Sequence, residues 1–169
     1  VAERIDAHGE VIAELDTQTL EPVLDAIATA DVEAVAICLL HSYRNPVHEA
    51  IVGEAIRNRF PDKFVSLSTE VLPEIREYER TSTTVINSFV GPVVHDYLNS
   101  LSGRLKNDGI TGSLDIMKSD GGVMSVDVAV RTPAQMIESG PAAGVMASAR
   151  LAKLTGHPNL ITFDMGGTT

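Results

Sequence analysis

The chain has 169 residues, of which 44% are hydrophobic and 21% are charged. This composition is typical of a folded domain and excludes a disordered tail or a collagen-like repeat. Because 23 acidic and 13 basic residues give a net charge of −10, the chain lacks the excess of Lys and Arg that binds nucleic acids or anionic membranes, and we expect neither partner.

The cysteine content and the ends of the chain indicate where the protein works. Cys38 is the one cysteine and allows no internal disulfide. The chain does not open with a secretory signal, and no apolar run approaches the roughly 20 residues that span a bilayer. We therefore predict a cytoplasmic protein. Because the sequence starts at Val1 and stops at Thr169 just after a glycine turn, we interpret it as a fragment of a longer protein.

The first 70 residues predict alternating strands and helices. Loose alternation over Val1–Leu15 favours a hairpin or a pair of loops, and a helix follows from about Thr19 to Ala30. The apolar run Ala34–Leu40 is typical of a parallel strand covered on both faces. A second helix begins at Asn45-Pro46, and Phe64–Ser68 forms the next strand. Strand, helix and strand in this order predict a βαβ unit and an α/β fold.

The strongest periodicity in the sequence predicts one long helix that ends at Asn107-Asp108-Gly109. Pro92 lies inside it and removes one backbone hydrogen bond, so we expect a kink rather than two helices. Apolar residues recur in steps of three and four at Tyr78, Val85, Ile86, Phe89, Val90, Val93, Val94, Tyr97, Leu98, Leu101 and Leu105.

The rest of the chain returns to short strands and a further helix. We predict a strand over Ser113–Lys118, a turn at Asp120–Gly122 and a short strand over Gln135–Glu138. A helix follows from about Pro141 to Leu154. We predict a further strand over the apolar run Asn159–Phe163, which leads into the last six residues.

Those last six residues, Asp164-Met-Gly-Gly-Thr-Thr, have two interpretations. A Gly-Gly turn between strands is the commoner one on spacing alone. The alternative is a phosphate loop, in which glycines let backbone N–H groups approach oxygens closely and threonine hydroxyls add donors. Asp164 would then hold Mg²⁺, a hard cation that takes one or two carboxylates together with phosphates and water.

Two further segments also leave alternatives open. Ser139–Gly144 precedes and begins a helix, so it either offers free N–H groups to an anion or packs a slim face closely on a sheet. The charged run Glu74–Arg80, followed by hydroxyl residues over Thr81–Thr84, is more typical of a solvated surface than of a cleft.

Other reactive side chains favour structural interpretations. The spacing of His41, His48 and Glu49 matches no standard metal site. Cys38 lies in an apolar strand, which favours burial as a small hydrophobic residue over nucleophilic catalysis.

Five motifs carry a resemblance to a known family. CLLHSYRNPVHE, LSTEVLPEIREYERTSTTVINSFVGPVV, SDGGVM, SGPAAGV and NLITFDMGGTT, in this order, closely resemble the hydantoinase A, 5-oxoprolinase and acetone carboxylase β-subunit family. The resemblance covers nearly all of the chain from about Glu33 onward. The sequence departs from the family pattern at Lys118 and Asp120, where we expect Gln and Asn.

The resemblance implies a fold and a domain organisation. The chain looks like a fragment of an actin-like ATPase fold, in which two RNase H-like lobes each supply a phosphate hairpin. On that basis residues 1–73 form the C-terminal part of the first lobe and residues 74–109 form the long kinked connecting helix. Residues 110–169 form the start of the second lobe and end in the phosphate loop.

The resemblance also implies a reaction. Members of the family use ATP and Mg²⁺ to open a cyclic amide such as hydantoin, N-methylhydantoin or 5-oxoproline, by phosphorylating the ring carbonyl oxygen. A hydantoinase B-like subunit is the implied partner. An ATP-dependent ketone carboxylase subunit and a non-catalytic actin-like nucleotide-binding module are the alternatives, and we expect the isolated fragment to be inactive.

The resemblance assigns roles to named residues. Asp164 is the magnesium carboxylate and one of the predicted catalytic residues. The others, Glu79, Arg80 and Thr83, lie at the predicted cleft between the lobes. The predicted phosphate and nucleotide contacts are Gly166, Gly167, Thr168 and Thr169, with support from Gly140 and Gly144.

Overall fold

The structure is a computed structural model that describes residues 1–166. Gly167, Thr168 and Thr169 of the predicted phosphate loop lie outside the described residues. Strands are β1 Ala2–Ile5, β2 Val11–Asp16, β3 Ala34–Ile37, β4 Phe64–Leu67, β5 Asp115–Met117 and β6 Val123–Ser125. Helices are α1 Glu21–Thr29, α2 Val47–Arg59, α3 Ser68–Val71, α4 Glu77–Asn107, α5 Val126–Arg131 and α6 Ser139–Thr155, with 3₁₀ turns at Thr17–Thr19 and Pro133–Met136.

The chain forms two compact units. The first contains Val1–Ser100 and Val130–Ala134, and the second contains Leu101–Ala129 and Gln135–Thr169. Within residues 1–166, none of the helices combines the length and the apolar character that crossing a bilayer requires.

The first unit begins with the predicted hairpin. Strands β1 and β2 pair antiparallel. In the turn between them the Asp6 carboxylate accepts hydrogen bonds from the backbone N–H groups of Glu10 and His8, and that of Glu10 contributes most to lowering the Asp6 pKa. Gly9 has φ +91°, a conformation that glycine adopts without strain.

The predicted βαβ unit is confirmed and contains the core of the first unit. Strands β3 and β4 pair parallel, from Ala34 opposite Phe64 to Ile37 opposite Leu67, and α2 connects them. Gly53 lets α2 lie close to β4, because a Cβ there would be 2.6 Å from Leu67 Cδ2. The chain is therefore mixed α/β. The buried core consists of Leu20, Leu24, Ile37, Val52, Ile56 and Leu67.

Helix α4 is continuous through Pro92 for 31 residues, as the periodicity predicts. Its buried side is nevertheless not the apolar stripe. Most of the large stripe residues are exposed, and the buried residues of α4 are Arg80, Thr84, Asn87, Ser88, Gly91 and Leu98.

The second unit confirms one predicted turn and corrects two predicted strands. Strands β5 and β6 pair antiparallel around Gly121, which has φ +83°. Gln135–Glu138 is not a strand: the 3₁₀ turn at Pro133–Met136 contains its first half and a further turn its second half, because proline favours the start of a helical turn and cannot donate to a sheet. Asn159–Phe163 has no regular secondary structure and pairs with none of the described strands. Helix α6 begins at Ser139, two residues earlier than predicted.

Candidate functional site

A buried polar cluster in the first unit surrounds Arg80. Arg80 is fully buried, although the charged run it ends favours a solvated surface. Its Nη2 donates to the Leu39 carbonyl at 2.8 Å, and its Nη1 donates to the hydroxyls of Ser42 and of Ser68, the latter at 3.2 Å. The guanidinium also lies 5.6 Å from the centre of the Tyr43 ring. We call these residues, together with Glu49, the Arg80 cluster.

Glu49 completes the Arg80 cluster and supplies the compensating negative charge. Its carboxylate is fully buried and accepts a hydrogen bond from Ser68 Oγ at 2.9 Å. It also accepts from the backbone N–H groups of Leu39 at 3.0 Å and of Thr69 at 2.8 Å. Glu49 therefore ties α2 to the chain after β3 and to the start of α3.

The hydrogen bonds of the Arg80 cluster leave little capacity for a ligand. Ser68 donates to Glu49 and accepts from Arg80, while Ser42 donates to the Leu39 carbonyl and accepts from Arg80. Only Nε of the guanidinium lacks a partner among the described residues. The arrangement fits a structural brace, because a charge buried this deeply must be compensated by partners inside the protein.

The other two residues predicted for the interlobe cleft are more accessible than Arg80. Glu79 is exposed, and its carboxylate lies 3.5 Å from Arg76 Nη1. Thr83 is half-buried and its hydroxyl donates to the Glu79 carbonyl at 2.8 Å. Their role at a cleft stays a prediction.

His48 and Cys38 of the first unit have protein partners. His48 Nδ1 lies 2.8 Å from Glu3 Oε2, and its Nε2 lies 3.6 Å from Glu14 Oε2. Cys38 is half-buried and its sulfur accepts a hydrogen bond from the Thr81 hydroxyl at 3.0 Å. In the described part of the chain no three His, Cys, Asp or Glu side chains converge as metal ligands do.

A cleft in the second unit brings together two of the predicted site residues. Asp164 and Gly144 line the same open cleft of about 490 Å³, between α6 and the extended segment 160–164. Ser148 and Thr162 add hydroxyl groups to its wall. The other lining residues are Pro141, Val145, Leu151, Leu160, Ile161 and Phe163.

The donors and the open space of this cleft fit a magnesium-bound phosphate. Asp164 is exposed and its carboxylate has no partner among the described residues, so it is available as the hard oxygen ligand that Mg²⁺ prefers. A Cβ added at Gly140, Gly144 or Gly166 would meet nothing within 4 Å, so the backbone is open at all three positions. Gly140 does not line the cleft, and Gly167, Thr168 and Thr169 lie outside the described residues.

The turn between β5 and β6 explains the two departures from the family pattern. Lys118 Nζ lies 2.8 Å from Asp120 Oδ2, and Asp120 Oδ1 accepts from the Gly122 N–H at 2.8 Å. The two unexpected residues therefore form one ion pair. Sequence reasoning missed it, although opposite charges two residues apart within one turn were the available signal.

Two family descriptions match the chain. The hydantoinase/oxoprolinase family matches residues 80–169, and the N-terminal region of hydantoinase/oxoprolinase matches residues 1–60. The chain belongs to the hydantoinase/oxoprolinase family, as its motifs predict.

Curated relatives match almost the whole chain. An uncharacterized protein of Methanocaldococcus jannaschii is 46% identical over 169 residues, which are 100% of this chain and 25% of the relative. The caprolactamase subunit alpha of Pseudomonas jessenii is 36% identical over 98% of this chain and 24% of the relative. The 5-oxoprolinase of Saccharomyces cerevisiae is 37% identical over 94% of this chain and 12% of the relative. The chain thus spans a quarter or less of the length of these relatives.

Two solved structures share the fold. The crystal structure of the ATP-dependent caprolactamase from Pseudomonas jessenii has a TM-score of 0.85 at 36% identity, over 98% of this chain and 24% of that chain. The nucleotide-free structure of acetone carboxylase has a TM-score of 0.82 at 28% identity, over 91% of this chain and 22% of that chain. The mixed α/β fold is therefore that of ATP-dependent enzymes of this family.

Proposed function

We propose that this chain is part of the ATP-using subunit of an enzyme that hydrolyses a cyclic amide. Hydantoin, N-methylhydantoin and 5-oxoproline are the proposed substrates, and the caprolactamase relative adds caprolactam to the class. The fold we propose for the whole subunit is the two-lobed actin-like ATPase fold. A hydantoinase B-like subunit is the proposed partner and the cytoplasm the proposed compartment.

The observation that carries this proposal is the cleft of the second unit, because it places Asp164 and Gly144 together in a family of ATP-dependent amidases. Asp164 stands at the end of an apolar segment with its carboxylate unengaged among the described residues. A glycine across the cleft leaves room for a bulky anion to approach the backbone.

The chemistry requires a good leaving group on a poor electrophile. A ring amide is stabilised by resonance and resists attack by water. When bound, ATP would supply the phosphoryl group that activates the carbonyl oxygen, and Mg²⁺ would neutralise the charge of the phosphates. Asp164 would hold the metal ion, and the backbone N–H of Gly166 would donate to phosphate oxygens. In the same proposal Gly167, Thr168 and Thr169 supply further donors and Gly140 supports the loop.

The residues of the first unit have different proposed roles. Glu79 and Thr83 lie on consecutive turns at the start of α4 and are proposed to face the substrate cleft. Arg80 is proposed as a positioning residue, because its guanidinium is engaged by Ser42, Ser68 and the Leu39 carbonyl. It would fix the direction in which α4 begins and therefore the position of Glu79 and Thr83.

A second candidate function is an ATP-dependent ketone carboxylase subunit. The likeness to acetone carboxylase, at a TM-score of 0.82, favours it specifically. This reaction would use the same nucleotide site and differ in the group that accepts the phosphoryl group. A non-catalytic actin-like module that binds nucleotide is the third candidate.

Phosphate release from ATP separates these candidates. The protein assayed is a subunit of the relatives' length that carries this chain, with and without a hydantoinase B-like subunit. Stimulation by hydantoin, N-methylhydantoin, 5-oxoproline or caprolactam supports the amidase, and product analysis must then show the opened ring. Stimulation only by acetone with bicarbonate supports the carboxylase. ATP binding without stimulation by any of these compounds contradicts both enzyme proposals and supports the third candidate.

A further inference from the structure

Helix α4 presents a long apolar face to solvent. Tyr78 and Phe89 are 81% and 84% exposed, and Val93 is 73% exposed. None of the α4 residues belongs to the hydrophobic core cluster of the first unit. We call the following six residues the outer face of α4: Tyr78, Val85, Ile86, Phe89, Val93 and Tyr97.

The two sides of α4 reverse the usual arrangement of a surface helix. The buried side consists largely of polar and small residues, of which Arg80, Thr84 and Asn87 are fully buried and hydrogen-bonded. The six apolar residues of the outer face extend over 20 residues, about 30 Å of helix, with Ser82 and the exposed Asp96 between them. Covering the outer face would remove these apolar side chains from water and so stabilise the protein. Monomeric proteins rarely leave an apolar patch of this extent in water.

We propose that the outer face of α4 docks against an apolar surface of the further polypeptide that subunits of the relatives' length contain. The chain spans 24% of the caprolactamase subunit alpha, and in the solved caprolactamase this fold is 24% of one chain. Because most of that chain lies outside this fold, we assign the partner surface to the same polypeptide. It is apolar and holds pockets for aromatic rings, because the tyrosine hydroxyls are the only side-chain polar atoms of the outer face.

Charge argues against a second copy as the occupant. Each copy carries a net charge of −10, so two copies repel one another. Asp96, exposed on α4, is the charged residue that lies among the six apolar residues at helical spacing. A face made mainly of aliphatic and aromatic side chains is typical of a permanent interface.

Hydroxyl-radical footprinting of the unmodified protein tests the proposal. Oxidation of Tyr78, Phe89 and Tyr97 is measured by mass spectrometry in the 169-residue chain and in a subunit of the relatives' length, and light scattering gives the oligomeric state of each. We expect oxidation to be several-fold lower in the longer subunit while it is monomeric. Equal oxidation in both overturns the proposal. Protection that requires a dimer, or that requires the second subunit, also overturns it and identifies the other occupant.

A matched pair of variants provides an independent measurement. Phe89→Asp in the longer subunit places a charge in the proposed interface, and we expect its melting temperature to fall by several degrees. Asn99→Asp adds the same charge at an exposed position on a different side of α4 and should leave the melting temperature unchanged. Equal effects of the two variants contradict the proposal. If Phe89→Asp does not fold, Phe89→Ala with the oxidation of Tyr78 and Tyr97 replaces it, and unchanged protection then counts against the interface.

Discussion

Arg80 and Glu49, two fully buried side chains of opposite charge, are joined through one hydroxyl group. Ser68 Oγ accepts from Arg80 Nη1 at 3.2 Å and donates to Glu49 Oε2 at 2.9 Å. The charges come from helices α2 and α4, which are separated along the chain by β4 and α3. The link therefore fixes where α4 begins relative to the parallel strand pair.

Replacement of Glu49 by glutamine should destabilise the first unit. Both Glu49 oxygens accept a backbone N–H, from Leu39 and from Thr69. The amide group of glutamine would turn a donor towards one of these N–H groups and leave Arg80 without a compensating charge. We expect a loss of roughly 3–5 kcal/mol in the free energy of unfolding, the range for breaking a buried charge pair.

Urea denaturation of the Glu49→Gln variant measures this loss. The matched control is Glu54→Gln, an exposed position on the same helix, which should change the unfolding free energy by less than about 0.5 kcal/mol. A similar stability for the two variants would contradict the role of Glu49 in the Arg80 cluster.

Two glycines of α4 should respond oppositely to alanine. A Cβ at Gly91 would lie 2.3 Å from the Phe64 ring, whereas a Cβ at Gly103 would meet nothing within 4 Å. We expect Gly91→Ala to destabilise the chain by about 1–3 kcal/mol through overpacking. Gly103→Ala should stabilise it by up to about 1 kcal/mol, because alanine favours the helix. The melting temperatures of both variants, compared with that of the unmodified chain, test this prediction. A higher melting temperature for Gly91→Ala would show that α4 does not cross β4 at this contact.

The sequence predicted elements better than it predicted which faces are buried. The parallel strands, the β1–β2 hairpin and the length of α4 follow from local patterns, and the structure confirms them. The apolar period of α4 was equally clear, yet its apolar side is exposed and Arg80 is buried. A period identifies a helix but does not say which neighbour covers which side. That depends on contacts distant in sequence, such as those of Glu49 and Ser68.

The candidate site was predictable only where it depends on a contiguous motif. Asp164 and Gly166 come from one segment, and Gly144 comes from a second one, Ser139–Gly144, which begins α6. That Gly144 and Asp164 share a cleft required the structure, because 20 residues separate them. The strand predicted over Asn159–Phe163 failed for a related reason, since backbone pairing depends on a partner strand and not on apolar character alone.

The Asp120 carboxylate should titrate below its ordinary pKa of 3.8. Its pKa is lowered mainly by the hydrogen bond from Lys118 Nζ and next by the backbone N–H of Gly122. Because the pKa of Asp120 is lower in the folded than in the unfolded state, its charge stabilises the fold at pH values above the unfolded-state pKa. This contribution is lost as the pH falls through the folded-state pKa. We expect Lys118→Met to move the NMR titration midpoint of Asp120 upwards, towards 3.8. Lys153→Met, on α6, is the control and should leave it in place. An unchanged midpoint in Lys118→Met would mean that the ion pair does not form in solution.

Replacement of Asp164 by asparagine should abolish ATP turnover without unfolding the protein. Asp164 is exposed and its carboxylate has no partner among residues 1–166, so the fold does not depend on its charge. A metal-holding role does depend on the charge, because an amide oxygen is a weaker ligand for Mg²⁺ than a carboxylate. In a subunit of the relatives' length we expect turnover to fall on the order of 100-fold or more, the scale of losing one group that stabilises a developing charge. The Mg²⁺ concentration for half-maximal turnover should rise while the melting temperature stays constant.

Asp108→Asn, which removes an exposed carboxylate just after α4, is the control and should retain full turnover. Full turnover in Asp164→Asn would remove this residue from the proposed metal site, whereas equal losses in both variants would point to a general effect of charge.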